Sequence, residues 1–422
     1  MSARAPYAVV DTLFLWYLGL PARPVLIGEI CLVLNGRGVS LRYDKEWIQA
    51  GFPLSEDLPL LDIEHLPREK DLAAGSVDDA RPDRWGERVI RQLERPPRLS
   101  ILEMLYFAGD ERFGALGVST SEARYVPCDR GALPVLADVD AVHDVVRKVL
   151  AGEMVGIDEA SRRLIAPGAT MGGARPKALI EIDGESWVLK FAEDDMSSEP
   201  VVEHAAMTLA AKAGIVVAET RVIKLAKGAA VAIKRFDRAA GSQAADAKIQ
   251  RVHALSANVA LKAAGAALSY PDLAQLLRRR GSPVNGLDRQ QMRELFRRLV
   301  FNILIDNTDD HEKNHVLLTT DSQHYLLSPA FDVLPTAQAL GYQSMIVGRE
   351  GTISSVDNAV SMSQAYGLNR TEALADASRV ATVVNGWQTH FAACGVDGNT
   401  ISSLADQIDR TYLLAQRREL TR

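Results

Sequence analysis

Cysteine is scarce in this sequence, and its spacing excludes several kinds of site. Cys31, Cys128 and Cys394 lie far apart and are odd in number, and no Cys-x-x-Cys or Cys/His spacing typical of zinc is present. A disulfide framework and a structural zinc site are therefore not expected. Because disulfides are rare in reducing compartments, the pattern favours a cytoplasmic protein with free thiols.

The sequence also lacks a long apolar run and an excess of basic residues. The early run TLFLWYLGLP is short and contains Gly19 and Pro21, and no run reaches the roughly 20 residues that a membrane-spanning helix needs. No secretory signal or membrane association is therefore expected. The formal net charge of −6 argues against a general nucleic-acid binder.

What is present predicts an α+β protein with several subdomains. The chain has 422 residues, of which 47% are hydrophobic and 24% charged, as is usual for a globular protein. Residues 1–130 alternate as strands do, with a hairpin turn at Asn35-Gly36, and form a small amino-terminal β/α subdomain. Residues 131–250 read as loop–β–β–α–β–β, the outline of a nucleotide-binding lobe. Residues 251–422 are mainly helical and include LDRQQMRELFRRLVFNILI, a strongly amphipathic helix with Met292, Leu295, Phe296, Leu299, Val300, Ile303 and Leu304 on one face.

Two segments of the middle region contain residues suited to binding a nucleotide. The stretch GATMGGARPK, Gly168 to Lys177, contains glycines that let backbone N–H groups turn toward an anion, although many glycine turns bind nothing. Lys190 lies on the second strand after this loop, in ESWVLKFA. Glu203 in the following helix could hold Lys190 by an ion pair, as a helix glutamate does in protein kinases. The alternative is that both side chains belong to the solvated surface.

The strongest motif is NTDDHEKNHVLL, Asn307 to Leu318, which follows the amphipathic helix. The interval from Asp309 to Asn314 is the one that separates the catalytic base from a metal-binding Asn in protein kinases. Asp332 lies downstream in SPAFDVLP, where kinases place a second magnesium ligand, and such oxygen ligands suit Mg²⁺. We expect Asp310 and Glu312 to face solvent. A solvated loop without catalytic function is the alternative.

Taken together, these motifs resemble the HipA-type serine/threonine kinases, which are toxins of bacterial type II toxin–antitoxin pairs. The resemblance covers nearly the whole chain. It rests on motifs that occur in the family's order: DDARPDRWGERVI, LYFAGDERFGALGV, MGGARPKALI, WVLKF, VVEHAAMTLAAKAGI, AIKRFDR, DNTDDHEKNHVLL and LSPAFDVLPT. It implies a HipA-like kinase fold, with a bilobed kinase-like core after the small amino-terminal subdomain.

The resemblance also implies roles for individual residues. Asp309 would be the catalytic base, with His311 and Lys313 lining the catalytic loop, and Asn314 and Asp332 would bind Mg²⁺. ATP would be bound by the glycine-rich loop, by Lys190 with Glu203, by an adenine-side linker and by one aromatic ring; the residues concerned are Gly172, Gly173, Ala174, Lys190, Glu203, Lys234, Arg235, Phe236, Asp237 and Phe331. Thr170 stands where family members autophosphorylate a serine, and phosphate there would repel ATP.

The resemblance further implies partners, and one departure from the family pattern leaves alternatives open. The substrate would be a translation component such as an aminoacyl-tRNA synthetase. A separate HipB-like helix-turn-helix antitoxin would hold the kinase in check, with DNA bound only through that antitoxin. Many family members carry Gln-Glu-Asp where this chain has Ala254, Leu255 and Ser256. A kinase of another protein or of a small molecule, and a degenerate kinase that acts as a corepressor, are the alternatives.

Overall fold

The chain folds into a mixture of helices and antiparallel sheets, which agrees with the predicted α+β class. The computed structural model describes residues 7–128, 131–153, 158–168, 173–194, 197–240, 249–320, 323–336 and 338–422. Within those ranges, no helix combines the length and apolar character needed to cross a bilayer.

Contacts divide the chain into two units. The first unit comprises Met1–Val188 and Asp237–Leu255, and the second comprises Leu189–Phe236 and Ser256–Arg422. The sequence-based division at residues 130 and 250 stays a prediction.

The strands, in chain order, are β1 Thr12–Tyr17, β2 Val25–Val33, β3 Gly38–Tyr43, β4 Glu64–His65, β5 Leu72–Ala73, β6 Leu116–Ser119, β7 Lys177–Ile182, β8 Glu185–Phe191, β9 Thr220–Lys224, β10 Ala229–Lys234, β11 Arg238–Ala240, β12 Ile249–Arg251, β13 Ala254–Ser256, β14 Val316–Thr319 and β15 Tyr325–Leu327.

The α-helices are α1 Lys45–Ala50, α2 Arg84–Val89, α3 Ile101–Phe107, α4 Val139–Ala151, α5 Glu159–Arg163, α6 Glu199–Lys212, α7 Ala257–Ala263, α8 Tyr270–Arg280, α9 Leu287–Leu304, α10 Val356–Ser361, α11 Arg370–Val384, α12 Trp387–Ala393, α13 Gly398–Ile408 and α14 Thr411–Leu420.

The first unit is built on a sheet whose strands run in the order β4-β3-β2-β1-β6, with β5 pairing in parallel to β3. The predicted hairpin at Asn35-Gly36 is confirmed: β2 and β3 pair antiparallel, and both turn residues adopt positive φ angles of 55° and 82°. Asn and Gly tolerate that left-handed conformation, which explains the turn. Helix α3 packs its buried face against this sheet and closes an apolar core.

The first unit also contains the segment that follows the glycine-rich loop. Strand β7 and the first residues of β8 form a hairpin whose turn, Asp183-Gly184, has positive φ at both positions. Upstream, α2 lies close to the segment before the loop: a side chain at Gly86 would meet the carbonyl oxygen of Pro167 at 2.1 Å. Only glycine fits at that position without moving backbone.

The second unit combines a small sheet with a helical bundle. Strands β9 and β10 pair antiparallel, and α6 packs on both. The long helix α9 packs against α8 and α11. Its predicted apolar face is confirmed, because each of its members is buried: Met292, Leu295, Phe296, Leu299, Val300, Ile303 and Leu304. This core supports the loop that follows α9 and the β14–β15 hairpin.

Candidate functional site

The loop that follows α9 carries the residues predicted to act in catalysis. Asp309 is exposed, and its backbone oxygen accepts hydrogen bonds from the backbone N–H of His311 (2.9 Å) and from Nδ2 of Asn314 (3.3 Å). His311 caps a short 3₁₀ turn, Glu312–Asn314, by accepting a hydrogen bond from the backbone N–H of Lys313 at Nδ1. Lys313 itself is exposed. The loop is thus held by its own hydrogen bonds, with the Asp309 carboxylate on the open side.

Asn314 has one amide atom occupied and the other available. Its Nδ2 donates to Asp309, whereas its Oδ1 is buried and has no hydrogen-bond partner among the residues that the structure describes. A buried carbonyl oxygen without a donor is costly, so this oxygen is available to accept a hydrogen bond or bind a cation. Oxygen atoms of this kind bind hard cations such as Mg²⁺.

Asp332 follows the β14–β15 hairpin and has an unusual backbone. Its φ angle is 58°, in the left-handed region that residues other than Gly adopt uncommonly, with Asn and Asp the most frequent exceptions. Such strain is typically found at functional sites, where it aims a side chain. Here the half-buried carboxylate is aimed at Lys190, with Oδ1 2.5 Å from Nζ.

Lys190 lies at the centre of a buried charged group. Its Nζ is also 2.7 Å from Oε1 of Glu203 on α6, and both side chains are buried. Burial disfavours the charged ammonium, but the carboxylates of Asp332 and Glu203 outweigh it and hold the pKa of Lys190 above its ordinary value. The structure therefore brings Lys190, Glu203 and Asp332 together as one group with a permanently charged lysine.

Aromatic and linker residues lie in the same unit. The rings of Phe236 and Phe331 are in contact, with centroids 5.4 Å apart. Lys234 is half-buried with Nζ 4.0 Å from Glu219, and Arg235 is buried. This places most of the predicted linker beside Phe331.

Gly173 and Ala174, two further residues predicted to bind the nucleotide, belong to the first unit. Gly173 has φ of 86°, a conformation that favours glycine, and Ala174 next to it is exposed. The backbone oxygen of Gly173 accepts a hydrogen bond from Nζ of the buried Lys177 (3.2 Å), which also pairs with Asp83. Gly172 and Thr170 lie outside the described residues.

Asp237, predicted to lie near the ribose, uses its carboxylate within the first unit. Its Oδ2 accepts hydrogen bonds from the backbone N–H of Gly114 (2.8 Å) and from Arg238 (2.6 Å). His253 directly precedes Ala254–Ser256, the segment that departs from the family pattern. It is buried and donates from Nε2 to the carbonyl oxygen of Leu54. Its ring is therefore used in packing within this unit.

The buried side of the loop after α9 was not predicted from the sequence. The expectation that Asp310 faces solvent is wrong: its carboxylate is buried and accepts hydrogen bonds from Tyr270, Asn302 and His315. Burial would raise the pKa of Asp310, but the charge and hydrogen bond of His315, with the Tyr270 hydroxyl, hold it below its ordinary value. Glu312 also has a partner, accepting from Nδ2 of Asn258. A polar sequence neighbourhood gave no sign of this burial.

Comparison with known sequences decides the family. The HipA-like C-terminal domain family matches residues 169–387, more than half of the chain, and the HipA N-terminal domain family matches residues 25–119. The chain belongs to the HipA family. These two matches contain the loop after α9, the Lys190 group and every strand of the first sheet except β1.

Two known proteins are similar to this HipA-family chain. HipA of Shewanella oneidensis MR-1, solved with HipB and its operator DNA, has a TM-score of 0.66 at 19% identity, covering 96% of this chain and 97% of that chain. This similarity confirms the predicted HipA-like fold. "Putative kinase Y4dM" of Sinorhizobium fredii (strain NBRC 101917 / NGR234) is 29% identical over 245 residues, which are 55% of each protein. The match therefore spans about half the length of that relative.

Proposed function

We propose that this HipA-family chain is an ATP- and Mg²⁺-dependent protein kinase that phosphorylates Ser or Thr. The observation that carries the proposal is the buried group of Lys190, Glu203 and Asp332. A lysine held between a helix glutamate and a metal-binding aspartate is the arrangement that phosphoryl transfer uses to bind phosphates. Membership of the HipA family and the similarity to Y4dM support the same activity.

The exposed Asp309 would accept the proton of the attacking hydroxyl. Its carboxylate lies on a loop that is fixed by hydrogen bonds of its own backbone oxygen, so its position is set before substrate arrives. Lys190 would hold the ATP phosphates, because its ammonium stays charged. His311 and Lys313 line the same loop and would contact the phosphates or the acceptor segment.

Asn314 and Asp332 fit the requirements of a magnesium site. Asn314 offers a buried oxygen that has no hydrogen-bond partner in the described part of the chain, and Asp332 offers a carboxylate on a backbone with positive φ. When bound, Mg²⁺ would neutralise phosphate charge during transfer. Two oxygen ligands suffice in such sites, because phosphates and water supply the others.

The adenine would lie against Phe331 and the linker from Lys234 to Asp237. Phe331 and Phe236 present adjacent rings, which suit stacking on a flat base. By the family resemblance, Gly172, Gly173 and Ala174 of the glycine-rich loop are also proposed as nucleotide-binding residues. Phosphorylation of Thr170 would place negative charge in that loop and lower the affinity for ATP.

We also propose the partners that the family implies. The Shewanella HipA structure contains HipB and operator DNA, which supports a HipB-like helix-turn-helix antitoxin for this chain. DNA would then be bound only through the antitoxin. A translation component such as an aminoacyl-tRNA synthetase is the proposed substrate class.

Transfer of labelled γ-phosphate to the chain itself or to lysate proteins tests the activity. Asp309→Asn should lower the rate by roughly 10²–10⁴, the usual contribution of a general base, while ATP binding stays close to that of the wild type. Asp357→Asn, which removes an exposed carboxylate of α10, is the matched control and should keep full activity. Equal labelling by Asp309→Asn would contradict the site assignment, and a wild-type protein that neither binds nor transfers would contradict the function.

A further inference from the structure

Asp310 adjoins the proposed catalytic base yet lies on the opposite, buried side of the loop. Only 2% of the surface of Asp310 is exposed, although its neighbours in the sequence are charged. Three donors converge on one oxygen, Oδ2: the Tyr270 hydroxyl from α8, Nδ2 of Asn302 from α9 at 2.7 Å, and Nε2 of His315 at 2.9 Å. A carboxylate is costly to bury, so packing alone would favour an apolar residue here.

The contacts of Asp310 join residues that lie next to the proposed base and the proposed metal ligand in the sequence. Asp310 directly follows Asp309, and His315 directly follows Asn314. The Asp310–His315 hydrogen bond therefore closes the loop at both ends of the segment that carries the proposed base and metal ligand. Within the closed loop, Asn314 donates to the Asp309 backbone oxygen, which turns the Asn314 Oδ1 to a side where no donor lies among the residues that the structure describes.

Other contacts fix the buried side of the same loop. The Asn302 amide is oriented by Asn307, whose Nδ2 donates to Asn302 Oδ1 at 3.1 Å, so the Asn302 Nδ2 must face Asp310. The backbone oxygen of His315 accepts from the backbone N–H of Ala257 at the start of α7, at 2.7 Å. The loop is thus attached to three helices, and Asp310 is the side chain shared by two of them.

We propose that Asp310 is a positioning residue that, through His315, Tyr270 and Asn302, holds Asn314 and Asp309 in the geometry that binds Mg²⁺-nucleotide. This inference rests on the proposed function, and it assigns a task to a residue that does not itself contact the reacting groups. The neighbouring aspartates then have separate tasks: Asp309 faces the acceptor, and Asp310 sets where Asp309 and Asn314 stand.

The first test measures the loop without any ligand. Asp310→Asn keeps the shape of the side chain but turns part of it from acceptor to donor against three donors. We expect amide hydrogen exchange of Asn314 and His315 to rise about tenfold or more in the full-length chain, because a charge-assisted network is lost. Unchanged exchange at both amides would overturn the positioning role.

The second test measures nucleotide affinity with and without Mg²⁺. Asp310→Asn should lower the Mg²⁺-dependent gain in ATP affinity about tenfold, whereas the affinity in EDTA should change less than about twofold. A variant with a lower melting temperature but a normal Mg²⁺-dependent gain would show that Asp310 only stabilises the fold. A wild-type chain without any Mg²⁺-dependent gain would contradict the proposed function, while the ligand-free exchange experiment would still decide the positioning role.

Two tyrosines provide matched variants if Asp310→Asn folds poorly. Tyr270→Phe removes a single donor to Asp310, and it should change exchange and Mg²⁺-dependent affinity in the same direction by about threefold. Tyr366→Phe is the control: Tyr366 is equally buried and contacts Phe296 of α9, but its hydroxyl has no hydrogen-bond partner among the described residues. An equal effect of the two variants would contradict the inference.

Discussion

Glu203→Gln is expected to raise the Mg²⁺ concentration that the protein requires, because it leaves Lys190 with one anionic partner. In the structure, the ammonium of Lys190 is shared between Glu203 at 2.7 Å and Asp332 at 2.5 Å. Glutamine has the shape of glutamate and can still accept a hydrogen bond, so the change removes charge and little else. The Lys190–Asp332 pair then becomes stronger.

The size of the effect follows from the geometry. Two unit charges 2.7 Å apart attract by about 6 kcal/mol at an effective dielectric constant of about 20, which is an upper bound on the net contribution. Because desolvation offsets most of it, a hydrogen bond to a charged group contributes about 1.5–3 kcal/mol. If Glu203→Gln strengthens the Lys190–Asp332 pair by that energy, Mg²⁺ must overcome the same energy to bind Asp332. The half-saturating Mg²⁺ concentration should then rise roughly tenfold to a hundredfold.

The assay is ATP binding and phosphoryl transfer across a Mg²⁺ titration at constant ionic strength. Glu193→Gln is the matched control, since it removes the same charge from an exposed residue just after β8. The reasoning fails if Glu203→Gln and the wild type reach half-saturation at the same Mg²⁺ concentration. It also fails if the exposed control shifts the titration as far.

Two predictions concern the stability of the first unit. Burial would raise the pKa of Glu103, but Arg98 and neighbouring donors outweigh it and lower the pKa. The charged carboxylate of Glu103 therefore stabilises the fold above its unfolded pKa, roughly 4.3, and this stabilisation is lost as pH falls through the folded pKa. Glu103→Gln should lower the melting temperature at pH 7. It should also flatten the decline of the melting temperature between pH 5 and 3. Gly86→Ala should lower the free energy of unfolding by about 2 kcal/mol, since its Cβ would lie 2.1 Å from the Pro167 carbonyl oxygen, while Gly398→Ala meets nothing within 4 Å and should not destabilise.

Some of this molecule could be read from the sequence because the signal was local or periodic. The apolar face of α9 follows a helical period, and the Asn35-Gly36 turn follows from the two residues best suited to positive φ. In these two cases the sequence near the residue contains the cause. The pairing of Lys190 with Glu203 was suggested by analogy with protein kinases, and the structure places their side chains in contact.

The direction of individual side chains in loops could not be predicted in this way. Asp237 stays a predicted nucleotide-binding residue; that its carboxylate also accepts a hydrogen bond from Gly114, far away in the sequence, could not be predicted from its neighbours. Asp310 was expected to face solvent. A loop has no periodic pattern of residues that would distinguish a buried side chain from an exposed one. Its donors come from Tyr270 and Asn302, and neither residue type by itself predicts a buried carboxylate partner.

The contrast between Asp309 and Asp310 shows what the sequence motif leaves undetermined. Both are aspartates in adjacent positions, and either could be taken as the acid in the motif. The structure distinguishes them by environment: Asp310 is surrounded by three donors and its pKa is lowered, so it is a fixed anion inside the unit, whereas Asp309 is exposed. A base must reach its substrate, so of these two aspartates we propose Asp309 for that role. Asp310, by contrast, has the hydrogen-bond contacts that hold its neighbours in place.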